Sequence, residues 1–239
     1  MKIPQLRKQE ERKTCHGYVW EDNYSWVHQS NCLEILQDKN KLNPEVKKYL
    51  EEENTFTEKN MEDTKSLQKD LFKEIEGRIK LEDESLKFKD KLYEYWTKTT
   101  KEGNYSIKLR KKINTSKIEE IWNGDKEKEK LGVEYFGIGD LEVSHNDRYL
   151  AYSLDTKGSE YFTIFIREIN TKEIITKEII ETSGSITFSL DDKFIFYSKL
   201  DENHRARKIY RHKIVNFSGH DDLIFEEKNE AFTVGISLS

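Results

Sequence analysis

Residues 143–153, Val-Ser-His-Asn-Asp-Arg-Tyr-Leu-Ala-Tyr-Ser, return 45 positions later as Phe-Ser-Leu-Asp-Asp-Lys-Phe-Ile-Phe-Tyr-Ser at residues 188–198. The same offset carries Ile164-Phe165 onto Ile209-Tyr210. Asn146-Asp147 and Asp191-Asp192 punctuate the two copies as turns, and the residues that follow have strand character. A period near 45 with about four short strands per unit is the spacing of β-propeller blades. Blades are therefore predicted at 82–130, 131–181 and 182–227, with a fourth opening at Ala231-Phe232-Thr233-Val234. The 158 residues from 82 to 239 make about 3.5 such units, whereas closed propellers use roughly four to eight. An unclosed ring leaves a strand edge, here near Thr233–Ser237, without a neighbour. On this reading the chain is the front part of something longer.

The blade grammar begins with a hairpin. Tyr93, Tyr95 and Thr97 alternate with charged or bulky partners, Lys101-Glu102-Gly103-Asn104 supplies the turn, and Tyr105, Ile107 and Leu109 alternate again. The first third has a different period. Asn43 suits an N-cap and Pro44 the first helical position. Val46, Tyr49, Leu50, Phe56 and Met61 then recur at helical spacing. After a break near Asp63-Thr64, Leu67, Leu71, Ile75 and Ile79 form a second stripe. Two helices in an N-terminal arm over 1–81 are expected, packed against a body elsewhere. Without that body the stripe of Val46, Tyr49, Leu50 and Phe56 should be partly exposed.

Leu, Ile, Val and Phe total 60 of 239 residues, a quarter of the chain, which is above the share at which chains fail to form a core. The net charge of −5 argues against a dedicated nucleic-acid binder, which needs a net basic face. The start, Met1 to Lys13, carries charge with no apolar stretch behind it, so no signal peptide is predicted. The longest apolar runs, such as Phe162-Thr163-Ile164-Phe165-Ile166, are strand-sized, far short of the roughly 20 residues of a membrane helix. Cys15 and Cys32 make no disulfide framework. A soluble, cytoplasmic protein is expected, with neither membrane nor nucleic acid as partner.

No catalytic pattern emerges. A serine hydrolase of the α/β type needs Gly-x-Ser-x-Gly to present its hydroxyl on a strained turn; Ser183-Gly184-Ser185 lacks the flanking glycines. Gly137-Ile138-Gly139 resembles the start of a dinucleotide loop, but Glu142 stands where the third glycine belongs and a strand follows. His28 and Cys32 are spaced i, i+4, yet Cys15 and His16 are adjacent, which does not suit structural zinc. The basic run Lys108, Arg110, Lys111 and Lys112 reads as a solvated face. The cluster Arg205, Arg207, Lys208, Arg211, His212 and Lys213 is denser, yet acids surround it. Catalytic, cofactor-binding and metal residues are therefore assigned to none.

An ordered series of motifs does point to a family. His16-Gly17, then Asp22-Asn23-Tyr24-Ser25-Trp26, resembles the opening of the prolyl oligopeptidase family of serine peptidases. Glu51-Glu52-Glu53-Asn54-Thr55-Phe56-Thr57 and Leu71-Phe72-Lys73-Glu74-Ile75-Glu76-Gly77-Arg78-Ile79 resemble its next two blocks. Leu200-Asp201-Glu202-Asn203-His204-Arg205, Tyr210-Arg211-His212, and Phe225-Glu226-Glu227 through Val234-Gly235 resemble the oligopeptidase B (protease II) branch, which cleaves short peptides after Arg or Lys.

The resemblance implies a seven-bladed propeller capping an α/β-hydrolase domain, joined by an N-terminal arm. This chain would then be mainly β with an N-terminal α-helical arm (1–81) and an incomplete β-propeller (82–239) of about 3.5 of seven blades. In the family the Ser-Asp-His triad lies downstream, so none of it maps onto this sequence. Two functions are compatible with that. One is the propeller portion of a peptidase, inactive alone and completed by a separately encoded C-terminal peptidase part, with short basic peptides as substrates only of the completed enzyme. The other is a non-catalytic remnant or interaction module.

Overall fold

The computed structural model describes residues 2–176, 179–215 and 219–238. The chain divides into two compact units, Met1–Lys80 and Leu81–Ser239. Among the described residues no helix is long and apolar enough to cross a membrane.

In the first unit, β1 (Glu11–Cys15) and β2 (Tyr18–Asp22) form an antiparallel hairpin. Its two-residue turn is His16-Gly17, with φ of 49° and 81°. Positive φ at both central residues is the turn whose twist matches a hairpin, so the His-Gly pair has a backbone reason to be there. A short helix α1 (Cys32–Gln37) follows. Helix α2 (Pro44–Asn60) begins as the sequence predicts, with the Asn43 side chain accepting from Glu45 N at 2.8 Å and Pro44 at the first position. A single tight turn at Glu62–Thr64 separates it from α3 (Lys65–Gly77).

The stripes on these helices are unequally covered. The stripe on α2 is partly exposed, as expected, and Val46 is the one fully buried residue of the helix. Tyr49 and Phe56 are half-buried, and Leu50 is exposed. On α3 the apolar stripe stays wet: Leu67, Leu71, Phe72 and Ile75 are all exposed.

The second unit is built of antiparallel strands. The first sheet orders β3 (Asp83–Glu84), β5 (Tyr93–Thr99), β6 (Ile107–Lys112) and β7 (Ile118–Asn123), with β4 (Phe88–Asp90) also on β5. The predicted hairpin is the β5–β6 pair, in register from Tyr93↔Lys112 to Lys98↔Ile107. Helix α4 (Gly124–Leu131) was not foreseen, although its signals are present. The Asn123 side chain caps Lys126 N, and Gly132 ends the helix in the left-handed region at φ 64°.

The second sheet runs without interruption through β14 (Asp222–Glu226), β13 (Ala206–Lys213), β12 (Phe194–Leu200), β11 (Ile179–Phe188), β10 (Phe162–Glu168), β9 (Tyr149–Asp155) and β8 (Gly137–Val143). The sequence predicted two separate blades here. They are joined because β11 serves both. Its start pairs with β10 through Ile179↔Ile164 and Thr182↔Phe162, and its end pairs with β12 through Ile186↔Tyr197 and Phe188↔Ile195. The change of partner occurs where the register shifts and Glu181 and Gly184 take φ of 60° and 93°. A curled sheet of this kind is an incomplete propeller whose second and third blades share one bent strand.

The bend is held by close packing around Phe162. A Cβ on Gly184 would fall 2.9 Å from the Phe162 ring, and one on Gly139 would fall 2.9 Å from the same ring and 2.5 Å from Ser153 Oγ. Ser153 cannot yield, since its hydroxyl donates to Gly184 O at 2.6 Å and accepts from Asp140 N at 2.8 Å. Gly139→Ala is therefore expected to destabilise the fold by about 1–3 kcal/mol, the usual cost of overpacking. Urea unfolding of the two proteins side by side measures it, and an unchanged midpoint would refute this account of Gly139.

Two apolar cores form within this unit. One gathers Tyr149, Ala151, Ile164, Ile166, Ile186, Phe188, Ile195 and Tyr197, and the other Tyr95, Trp122, Leu150, Tyr152 and Leu154. The repeat is visible in the ring packing: Tyr152 stacks on Phe165 at 5.4 Å, and 45 positions on Tyr197 stacks on Tyr210 at 5.7 Å, both pairs tilted by 19°. The fourth strand expected at Ala231–Val234 does not form. One backbone bond, Val234 N to Ala206 O, ties this segment down, and no ladder runs beside it among the described residues. Farther on, Ile236, Ser237 and Leu238 line a hollow with Asp140 and Val143 of β8 and Ile186 and Phe188 of β11.

Candidate functional site

The repeated turns are where the sequence motif becomes geometry. In each, a serine opens the turn and an aspartate three residues on closes it in the left-handed region, at φ 60° for Asp147 and 54° for Asp192. Asp is one of the few side chains that tolerates that conformation. The bonds repeat one for one. Asp147 N donates to Ser144 O and Asp192 N to Ser189 O, both at 2.9 Å. Tyr149 N donates to Ser144 Oγ and Phe194 N to Ser189 Oγ. The serine hydroxyls donate to Asn146 Oδ1 and Asp191 Oδ1 respectively. Asp191 is held down at about 2, first by the Ser189 hydroxyl and then by Lys193.

Each closing aspartate reaches back to the preceding blade. Asp192 takes the N–H groups of His145 and Asn146, one on each carboxylate oxygen, at 2.8 and 2.7 Å. Asp147 accepts from the Tyr95 hydroxyl at 2.5 Å. Burial and that carboxylate together push the Tyr95 hydroxyl far above its ordinary range. Arg110 completes this joint. It donates to Glu119 Oε2 at 2.9 Å, Asp147 O at 2.6 Å and Asn170 Oδ1 at 3.2 Å, and its guanidinium lies 4.3 Å over the Tyr93 ring. The basic run 108–112 is thus not a solvated face: Arg110 is buried, Lys108 Nζ donates to Leu141 O at 3.0 Å, and Lys111 pairs with Glu94. Burial lowers the affinity of Lys108 for its proton.

The motif segments of the third blade also converge. Leu200, Asp201 and Glu202 meet Arg207, Lys208, Glu226, Glu227 and Glu230 around an open hollow of about 660 Å³. Its arginines grip the chain after β14: Arg207 donates to Glu227 O and Arg205 to Glu230 O. In the rest of the basic cluster Lys208 pairs with Glu226, Arg211 with Asp222 and His212 with Asp221, while Lys213 is exposed. Asp221 accepts from the Tyr197 hydroxyl at 2.6 Å and contacts His212 Nδ1 at 2.7 Å. This corner directs the chain out of the third blade.

The N-terminal motif is structural in the same sense. Asp22 Oδ1 accepts from Tyr24 N, Trp26 Nε1 donates to Arg7 O, and the Arg7 guanidinium covers the Trp26 ring at 4.4 Å while pairing with Glu45.

Chemically, these sites join and orient. Ser183 Oγ lies 2.6 Å from Ser198 Oγ within the strand-sharing bend. Gly137–Gly139 opens β8, a strand and not a phosphate-binding turn. Cys15 and Cys32 are free and exposed, and among the described residues no three His, Cys, Asp or Glu side chains converge as a metal would require.

The model of the "Prolyl oligopeptidase, N-terminal beta-propeller domain" matches residues 4–239. A dipeptidyl aminopeptidase BI of Pseudoxanthomonas mexicana is 27% identical over 95% of this chain and 32% of its own length. Protease 2 of Moraxella lacunata is 26% identical over 100% of this chain and 34% of its own. The chain thus spans about a third of the length of the curated relatives it matches. Among solved structures, oligopeptidase B from Leishmania major superposes with a TM-score of 0.82 at 23% identity, covering 97% of this chain and 34% of that one. With a family model covering nearly every residue and a shared propeller fold, this chain belongs to the prolyl oligopeptidase N-terminal β-propeller family.

Proposed function

We propose that this chain is the propeller portion of an oligopeptidase B-like serine-type endopeptidase, whose completed form hydrolyses short peptides after Arg or Lys. The observation that carries this reading is the extent of the match: the propeller model takes up residues 4–239, while the chain accounts for only about a third of its peptidase relatives. Residues 1–81 act as the arm and 82–239 as the partial propeller. A separate C-terminal peptidase part supplies the remaining blades and the catalytic groups. The two free cysteines suit a reducing compartment, the cytoplasm. No metal, cofactor, nucleic acid or membrane enters the function.

In this reading the chain contributes shape and contacts, not chemistry. A serine hydroxyl without a histidine base and an oxyanion hole is an ordinary alcohol, and loss of the triad costs on the order of a millionfold in rate. Purified alone, the chain is expected to leave Arg- and Lys-ester and amide reporters at the buffer rate and to take up no fluorophosphonate label. Turnover accompanied by labelling of one serine would overturn the division of labour.

A further inference from the structure

The second and third blades carry the same turn, after β8 and after β11, and among the described residues only one of the two turns is filled. The N–H groups of His145 and Asn146 donate to the two carboxylate oxygens of Asp192. Forty-five positions on, the corresponding groups are Leu190 N and Asp191 N. Among the described residues nothing accepts from either, and the Leu190 side chain is 77% exposed. The rest of the turn is copied, including its closing bond, its serine hydroxyl and its left-handed aspartate. The third blade thus carries a formed, open version of a site whose filled version lies one blade away.

Two neighbouring N–H groups that converge on one point suit an anion with two oxygens, and a hydrogen bond to an ionised acceptor is roughly twice as strong as a neutral one. The neighbouring Asp191 carboxylate would oppose a second negative charge, but the Lys193 ammonium sits 3.0 Å from it and offsets that repulsion. We infer that the Leu190 and Asp191 amides receive a side-chain carboxylate from the partner polypeptide, carried by the aspartate of a Ser-x-x-Asp turn in the blade laid against the third. This rests on the reading that a partner completes the propeller. A second copy of this chain is the poorer occupant, because its own turn aspartates, Asp147 and Asp192, are buried and engaged already.

Leu190→Pro removes one receiving N–H and leaves the turn intact. Leu190 is the second residue of a turn closed by Asp192 N to Ser189 O, and neither Leu190 nor Asp191 has positive φ. Proline is favoured at that position of such a turn. The variant should melt with the parent chain, whereas His145→Pro, which removes the N–H of the filled site, should lower the melting temperature. In titrations with the C-terminal part from the same genome, Leu190→Pro is expected to bind about tenfold more weakly. Replacing the partner's turn aspartate by asparagine should cost the same and add nothing to Leu190→Pro. Hydrogen exchange at the Leu190 and Asp191 amides of the unmodified chain should slow in the complex. A complex that forms with parental affinity in Leu190→Pro, with those amides exchanging as in the free chain, overturns the amide site and leaves the completed propeller standing. Absence of any complex overturns both.

Discussion

Arg110→Ala is expected to cost the second unit about 3–5 kcal/mol, the range for removing one partner of a buried ion pair. The Arg110 side chain is 1% exposed and touches four groups from separate stretches of sequence: Glu119, the Asp147 carbonyl, Asn170 and the Tyr93 ring. Truncation leaves the Asp147 carbonyl without its donor, leaves Glu119 only its longer contact with Lys117 at 3.6 Å, and opens a cavity where the guanidinium stood. For a unit of this size each kcal/mol shifts the melting temperature by roughly 2–4 °C, so a fall of about 6–20 °C should be read by circular dichroism. Arg110→Lys keeps the charge but cannot span three acceptors with one ammonium, and should lie between the two. A melting temperature within 2 °C of the parent for Arg110→Ala would remove this residue from the account of how the blades are joined.

Arg110 also marks where the sequence is legible and where it is not. The repeat is readable because turn chemistry is local. Ser144 and Ser189, with Asp147 and Asp192, fix their turns through bonds spanning a few residues, and the same residues reappear at the same offset. The Asn43-Pro44 start of α2 is readable for the same reason. The role of Arg110 depends on Asp147 and Asn170, 37 and 60 residues away, and in sequence it is one cation in a run of four. Strand sharing escapes as well. A turn signal between Ile179 and Phe188 looks like a gap between blades, and only the pairing of β11 with both neighbours shows that the chain bends there without leaving the sheet. The Phe162 packing that holds the bend uses Gly139 and Gly184, which sequence alone makes into fragments of other motifs.

Adding the C-terminal part is expected to raise both stability and activity, by the largest margins this protein offers. Strand β14 lies at one end of the second sheet. Leu223, Ile224 and Phe225 of β14 are each 49% exposed, and the segment from Ala231 is tied to the sheet by a single backbone bond. Burying one such side chain fully is worth about 1.5–3 kcal/mol, and backbone groups left to water gain a ladder when a following strand arrives. A partner that binds only the folded chain stabilises it by an amount set by its concentration over its dissociation constant, about 2.7 kcal/mol at a hundredfold excess. The melting temperature of the chain should therefore climb with added partner, and continue to climb logarithmically after the complex has formed. On the proposed reading, in which the partner brings the triad, cleavage after basic residues in the same mixture should rise from the buffer rate by several orders of magnitude. Saturation of the melting temperature at the parental value, with two folded proteins that neither co-purify nor hydrolyse a basic reporter together, would leave the interaction-module reading in place of the peptidase one.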